Sequence, residues 1–365
     1  MQALDCLKEL AALGGYNITN TDTQAVANKA RALRRLNIIR ADVASRFSGR
    51  WQGLYREGWL ALTPVYGDGT VAITQGSNTV TGTSTTWTAA MVGRQFLGPD
   101  NAYYKIASIV SSTSLLLTVP YQGATVSVGV YQIWQDEYAL YPEAFSVIDF
   151  INYSDPLQMA EGGQKQSRHS YPRATAVDVP RVYTILARDA VVGSYSTGTL
   201  SGTVDTLTLT GSGTAWLANL QPGYEIKVGS YTYTVRKVNS DTEVELYQYI
   251  VSTITAATSY TAKGRNALKV RFSYPVSQQI VSYAYFAKPY PIVNDIDEDW
   301  ILNLYIHVIL EGAMKYDFLD KNDPVRASAA TQLFENSVSN AHTSDQSQFS
   351  GTATVGLDIP DHARE

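Results

Sequence analysis

The residue types that most often do chemistry are sparse in this chain: four histidines, one cysteine and a short alternation of aspartates. His169, His307, His342 and His362 form no HExxH or paired-ligand spacing, and His307 sits between Ile306 and Val308, where a satisfied core histidine is the simpler account. Asp295, Asp297 and Asp299 alternate as calcium-loop ligands do, but the following glycine and the distant glutamate are missing. A helix N-cap, with carboxylates set against the helix dipole, explains them better. Gly211-Ser212-Gly213 lacks the Lys-Ser/Thr ending of a phosphate loop and reads as a turn, and no GxSxG elbow occurs. Cys6, being alone, excludes an intramolecular disulfide and any multi-cysteine metal site. A hydrolase acting on cell-wall sugars would need two carboxylates across a cleft, and no pair stands out by spacing. The expectation is therefore no catalytic residue, no metal, no cofactor and no enzyme.

Charge distribution says more. The net charge is −5 and only 17% of residues are charged, which argues against a surface that grips nucleic acid throughout but allows a local basic stripe. Lys29, Arg31, Arg34, Arg35, Arg40, Arg46 and Arg50 face only Asp42 as a counterweight, whereas Asp295 to Asp323 is acidic, with Asp317 and Asp320 among eight carboxylates. Two readings stand: both faces pack within one subunit or stay solvated, or Arg31, Arg34, Arg35 and Arg40 of one copy meet Asp317 and Asp320 of the next, head to tail. A further basic cluster, Lys165, Arg168, His169 and Arg173, falls in the loop-like stretch 151–180.

Those charges must be carried by helices. Leu4, Leu7, Leu10 and Leu13 make an apolar stripe closed by Gly14-Gly15, and Thr21 or Asp22 caps a long second helix running to Gly49. WQGLYREGWLAL, at 51–62, continues or caps this helical layer, and with it the N-terminal helical part fills 1–64. At the other end, DIDED starts an apolar helix through Trp300 and Phe318, and Asp323-Pro324 starts the last one, so that 295–339 is the C-terminal helical part. The segment 340–365 has too few large apolar residues to fold alone and reads as an extended docking tail.

Between the ends the grammar is β. Turn clusters such as Gly67-Asp68-Gly69 separate short β-branched runs over 65–135, and the same pattern returns over 198–263. VTGTSTTW and LTGSGTAW recur about 130 residues apart: Trp87 returns as Trp216, Thr85 as Thr214, Ile106 as Val235. The two tryptophans read as the core of each copy, with an exposed sugar-stacking platform as the competing role. The segments 136–197 and 264–294 connect the parts. Within them, Arg181 to Arg188 and Ala267 to Phe286 are expected to pair in a frame sheet. The fold class is thus α+β: a helical frame from both ends, a β frame sheet, and two inserted, repeated small β-barrel or sandwich modules. No apolar run approaches a membrane span, and Asp5 and Glu9 do not suit a signal peptide, which reads as a chain made in a cytoplasm.

The order of RWQGLYREGW, central β material, YAYFAKPYP, DIDEDWILNLYIHVILEGAMKY and DKNDPVRASAATQLF resembles the head-to-tail adaptors of tailed bacteriophages, the tail-tubular-protein-A kind of short-tailed phages. TVTGTSTTW and TLTGSGTAW are similar to small β inserts of phage virion proteins. The resemblance implies a structural virion protein of the neck or tail region. Its copies would form a ring of about twelve subunits, a dodecamer, beneath the portal protein. The ring would offer its other face to the tail or nozzle and continue the channel for DNA ejection. The competing class is a receptor- or carbohydrate-binding tail or baseplate protein that uses the two β modules.

Overall fold

The computed structural model describes residues 2–15, 17–19, 22–152, 155–160, 180–272 and 279–349. Helix α1 (Ala3–Gly14) ends on Gly15 in the left-handed region, φ 72°, which a glycine adopts without a Cβ penalty. Its buried side is Ala3, Cys6, Leu7, Leu10 and Ala11, with Leu13 left outside. Helix α2 (Thr23–Ser45) is capped by Asp22, whose carboxylate accepts from the Ala25 amide at 2.7 Å, and buries Ala25, Ala32, Leu36, Ile39, Val43 and Ala44.

After a short 3-10 turn at Gln52–Leu54 the chain does not stay helical. Tyr55–Leu62 is strand β1, which corrects the expectation of a helical 51–62. The reason is visible at Gly58, where a Cβ would collide with the Tyr283 ring of the neighbouring strand. The first module follows, with β2 (Thr70–Ile73), β3 (Thr79–Thr83), β4 (Gln95–Leu97), β5 (Tyr103–Ser111), β6 (Ser114–Leu117), β7 (Val126–Gly129) and β8 (Gln132–Trp134). The frame resumes with β9 (Glu137–Ala139), β10 (Ala144–Asn152), β11 (Asp155–Pro156), β12 (Gln158–Met159) and β13 (Val182–Tyr195). The second module has β14 (Thr199–Gly202), β15 (Thr208–Ser212), the one-turn helix α3 (Trp216–Asn219), β16 (Glu225–Val228), β17 (Tyr231–Ser240), β18 (Glu243–Leu246), β19 (Ile254–Thr258) and β20 (Thr261–Phe272). Strand β21 (Gln279–Ala287) leads to α4 (Trp300–Leu304), α5 (Ile306–Asp320) and α6 (Pro324–Phe349).

Two frame sheets face each other. One has the order β1-β21-β10-β11; in the other, β20 is flanked by β9 and β13. Their inner faces share a core of Leu62, Phe150, Tyr183, Val270, Phe272, Tyr283 and Tyr285. Strands β13 and β20 pair antiparallel, Tyr183 opposite Phe272 and Leu186 opposite Lys269, as the sequence places them. Strand β21, by contrast, pairs with β1 and β10 instead of joining that pair.

The modules are the same fold twice. Strand order β7-β2-β3-β6-β5-β4-β8 in the first is β19-β14-β15-β18-β17-β16-β20 in the second. Gly69 and Gly198, at φ 78° and 82°, hold the same tight approach to the β3 and β15 backbones. The second module is fused to the frame because β20 runs unbroken from one into the other; in the first, β8 and β9 are separate strands. The helices form their own core with Trp51, Leu54, Phe286 and Ile292.

The last helix departs from expectation. Helix α6 continues through 340–349 instead of ending at 339, because Val338 and Ala341 still face the helical core and Asp345 accepts from the Gln52 amide at 2.6 Å. The basic cluster at Lys165, Arg168, His169 and Arg173, and the segment 350–365, lie outside the described residues.

Candidate interface surfaces and the frame cleft

The basic and acidic helices meet inside one chain. Arg35 pairs with both Asp317 and Asp320, Lys29 with Asp295, and Arg46 with Glu335 and Asp42. Arg40 is 1% exposed, and its Nε donates to Asp299 Oδ2 at 2.7 Å while Nη1 donates to Asn37 and to the Tyr290 carbonyl, each at 3.0 Å. Of the candidate interface residues, Arg35, Arg40, Asp317 and Asp320 are thus occupied within the subunit. Arg31 and Arg34 are exposed and have no acidic partner among the described residues. Arg35→Glu therefore sets a carboxylate against Asp317 and Asp320 and is expected to cost about 2 to 4 kcal/mol, whereas Arg34→Glu changes stability by less than about 0.5 kcal/mol. Thermal melts of the two variants separate these effects.

The aspartates of DIDED each have structural work. Asp299 caps α4 through the Trp300 amide at 2.9 Å. Asp297 is fully buried and accepts from the amides of Tyr249, Val293 and Asn294 at 2.7 to 2.8 Å, which ties the second module to the frame. Among the described residues, no group of three or more His, Cys, Asp or Glu is placed to hold a metal ion. Cys6 is buried, and burial pushes its thiol up to about 12, so it is no nucleophile at neutral pH.

Trp87 and Trp216 lie in the module cores, 3% and 0% exposed. Trp87 Nε1 donates to Tyr131 Oη at 3.0 Å, and Trp216 Nε1 to Tyr260 Oη at 2.9 Å. Each tyrosine hydroxyl in turn donates to a backbone carbonyl, Tyr131 to that of Asp68 and Tyr260 to that of Thr197. The rings that would stack on a sugar are therefore enclosed.

A cleft of about 400 Å³ opens where frame and second module meet, lined by Arg56, Arg236, Lys288, Tyr247, Tyr249, Tyr290 and Trp300 among others. Behind it, the Glu143 carboxylate accepts from Tyr247 Oη at 3.0 Å and Tyr285 Oη at 2.5 Å. Burial raises Glu143 above the ordinary glutamate value, and the two tyrosine hydrogen bonds and Arg56 only partly oppose this. A carboxyl held above its unfolded value contributes stability that is full below that value and is lost as pH rises through the folded one. Glu143→Gln is thus expected to flatten the fall in stability in the window that opens above about pH 4.5. Urea titrations of both chains across that window measure it.

Sequence reasoning missed the outer face of the β1-β21-β10 sheet. Trp59 and Ile280, 61% and 62% exposed, stand one diagonal step apart on it, since Trp59 pairs with Ser282 and Ala61 with Ile280. Glu57, Ala284 and Asp149 form the adjoining row. Read as a strand, Tyr55, Glu57, Trp59 and Ala61 alternate with Leu60 and Leu62, which was the signal that helical spacing obscured. No helix among the described residues is long and apolar enough to cross a membrane. No protein-family model matches the chain, and no curated protein matches its sequence, so these surfaces are read from their own geometry.

Proposed function

We propose that the chain is a structural virion protein, a head-to-tail adaptor whose copies form a ring between portal and tail and continue the DNA channel. What carries this reading is where the chain leaves apolar surface bare. The frame exposes Trp59 and Ile280, while the repeated modules keep Trp87 and Trp216 inside. Large exposed apolar groups on a rigid frame suit contact with another protein, and enclosed tryptophans deprive a glycan of a stacking surface. The internal charge network supports the reading too: with Arg35 and Arg40 pairing helix to helix, each chain is a stiff building block with its outer faces free. The modules then decorate the ring.

Mixing the chain with the portal ring of its own phage and imaging the particle tests this. A symmetric collar of about twelve copies on the portal is expected. Failure to bind the portal, together with retention on immobilised bacterial surface polysaccharide, would replace the adaptor with a glycan-binding tail protein.

A further inference from the structure

Two outer faces of the frame are complementary to each other and bare in the single chain. On α2, Ala27, Ala30, Arg31, Arg34, Ile38 and Ala41 are all exposed and recur at helical spacing, giving a stripe about 21 Å long at 1.5 Å per residue. Three of its six residues are alanines, and it carries Arg31 and Arg34 beside Ile38. On the frame sheet, the positions from Tyr55 to Ala61 span about 20 Å of strand and expose Trp59 and Ile280. This face is acidic: Glu57 is exposed, Asp149 shares its row, and both charges act on Tyr55. No cation among the described residues pairs with Glu57 or Asp149, and Asp149 Oδ1 is buried without a hydrogen-bond partner. Among the described residues, the helical layer covers the Phe286 end of the face and leaves Trp59 and Ile280 exposed.

We infer that the α2 stripe of one copy, through Arg31, Arg34 and Ile38, docks on the Glu57, Trp59 and Ile280 face of the next copy. The charges decide the geometry. Either face packed on its own copy would set arginine against arginine or carboxylate against carboxylate, which costs several kcal/mol. Joining the two different faces matches opposite signs, and repeating that contact head to tail closes a ring or extends a filament. Both faces are exposed in one chain, so neither covers the other. This contact gives the ring of the proposed adaptor its subunit surface and rests on that reading for its closure, but the contact itself does not require a portal.

Light scattering of the purified chain across a concentration series tests it. The wild type is expected to rise above the 40.0 kDa of one chain, and Arg31→Glu with Arg34→Glu, or Glu57→Lys alone, to weaken self-association by about tenfold or more. All three positions are exposed, so circular dichroism and melting should be unchanged. Mixing the two variants restores opposite signs at every contact and is expected to recover assembly. Wild-type mass in both folded variants overturns this contact while leaving a ring built otherwise. A wild type that stays at the mass of one chain at every concentration overturns it too, and portal binding then decides the adaptor reading by itself.

Discussion

Arg40→Ala is expected to lose about 3 to 5 kcal/mol of stability. The side chains of Arg40 and Asp299 are 2% and 4% exposed, so each has given up its water and depends on the other. Removing the guanidinium strands the Asp299 carboxylate, which also caps α4, and takes one donor each from the Tyr290 carbonyl and from Asn37, which keeps its bonds to the Ile292 backbone. The Tyr290 ring, over which the guanidinium lies at 5.6 Å, loses a cation as well. Urea denaturation gives the loss, and a double-mutant cycle identifies its origin: Arg40→Met with Asp299→Leu should recover part of it, because the main penalty is an unpaired buried charge. The Arg46–Glu335 pair, whose side chains are 24% and 45% exposed, offers the contrast, since Glu335→Ala should cost about 1 kcal/mol or less. Equal losses from the two would rule out burial as the cause.

That contrast shows where the sequence was legible. The opposite charges of α2 and the C-terminal helices were visible in the residues, but whether they met within a chain or between chains depended on which side of α2 faces the core. Arg40 sits one residue from Ile39 and three from Val43, at the margin of the buried stripe, and Arg35 adjoins Leu36; Arg31 and Arg34 fall opposite. Helical phase therefore divides the basic run into an internal half and an external half, and composition cannot do this. The DIDED cap was legible because a cap is local chemistry. Strand β1 was not, since Trp51, Leu54 and Trp59 fit a helical stripe as well as a strand, and the choice was made by Tyr283 from more than two hundred residues away. The end of α6 was misread for a related reason. Asn340 to Phe349 is too polar to hold a helix alone, but His342 stacks on Phe47 at 3.9 Å and Gln346 donates to the Arg50 carbonyl at 2.9 Å. Tertiary contacts of this kind leave no periodic trace.

The repeat was the clearest signal because its spacing is itself structural: the Trp87 amide and indole hydrogen bonds, to Ser112 and Tyr131, recur as those of Trp216 to Asp241 and Tyr260. Trp216→Ala and Trp87→Ala are each expected to cost about 3 to 5 kcal/mol, from a large cavity together with a tyrosine hydroxyl that loses its indole donor while keeping its carbonyl acceptor. Equal chemistry should nevertheless give unequal unfolding. In the second module, Gln248 is fully buried and donates to the Pro291 carbonyl at 2.9 Å, Tyr249 reaches Asp297, and Tyr247 stacks on Tyr290 at 4.5 Å. The equivalent Thr118, Val119 and Pro120 of the first module are exposed. Losing Trp216 therefore loosens the frame that β20 enters, and the whole chain should melt earlier in one cooperative step. Losing Trp87 disturbs a module that makes no such contact through this segment, so an early, separate transition should precede an almost unshifted main one. Calorimetry distinguishes the two shapes, and Tyr260→Phe beside Tyr131→Phe should repeat the difference at about 1 kcal/mol. Identical single transitions for both tryptophan variants would mean that the first module is as tightly coupled to the frame as the second, by contacts other than the 247–249 segment.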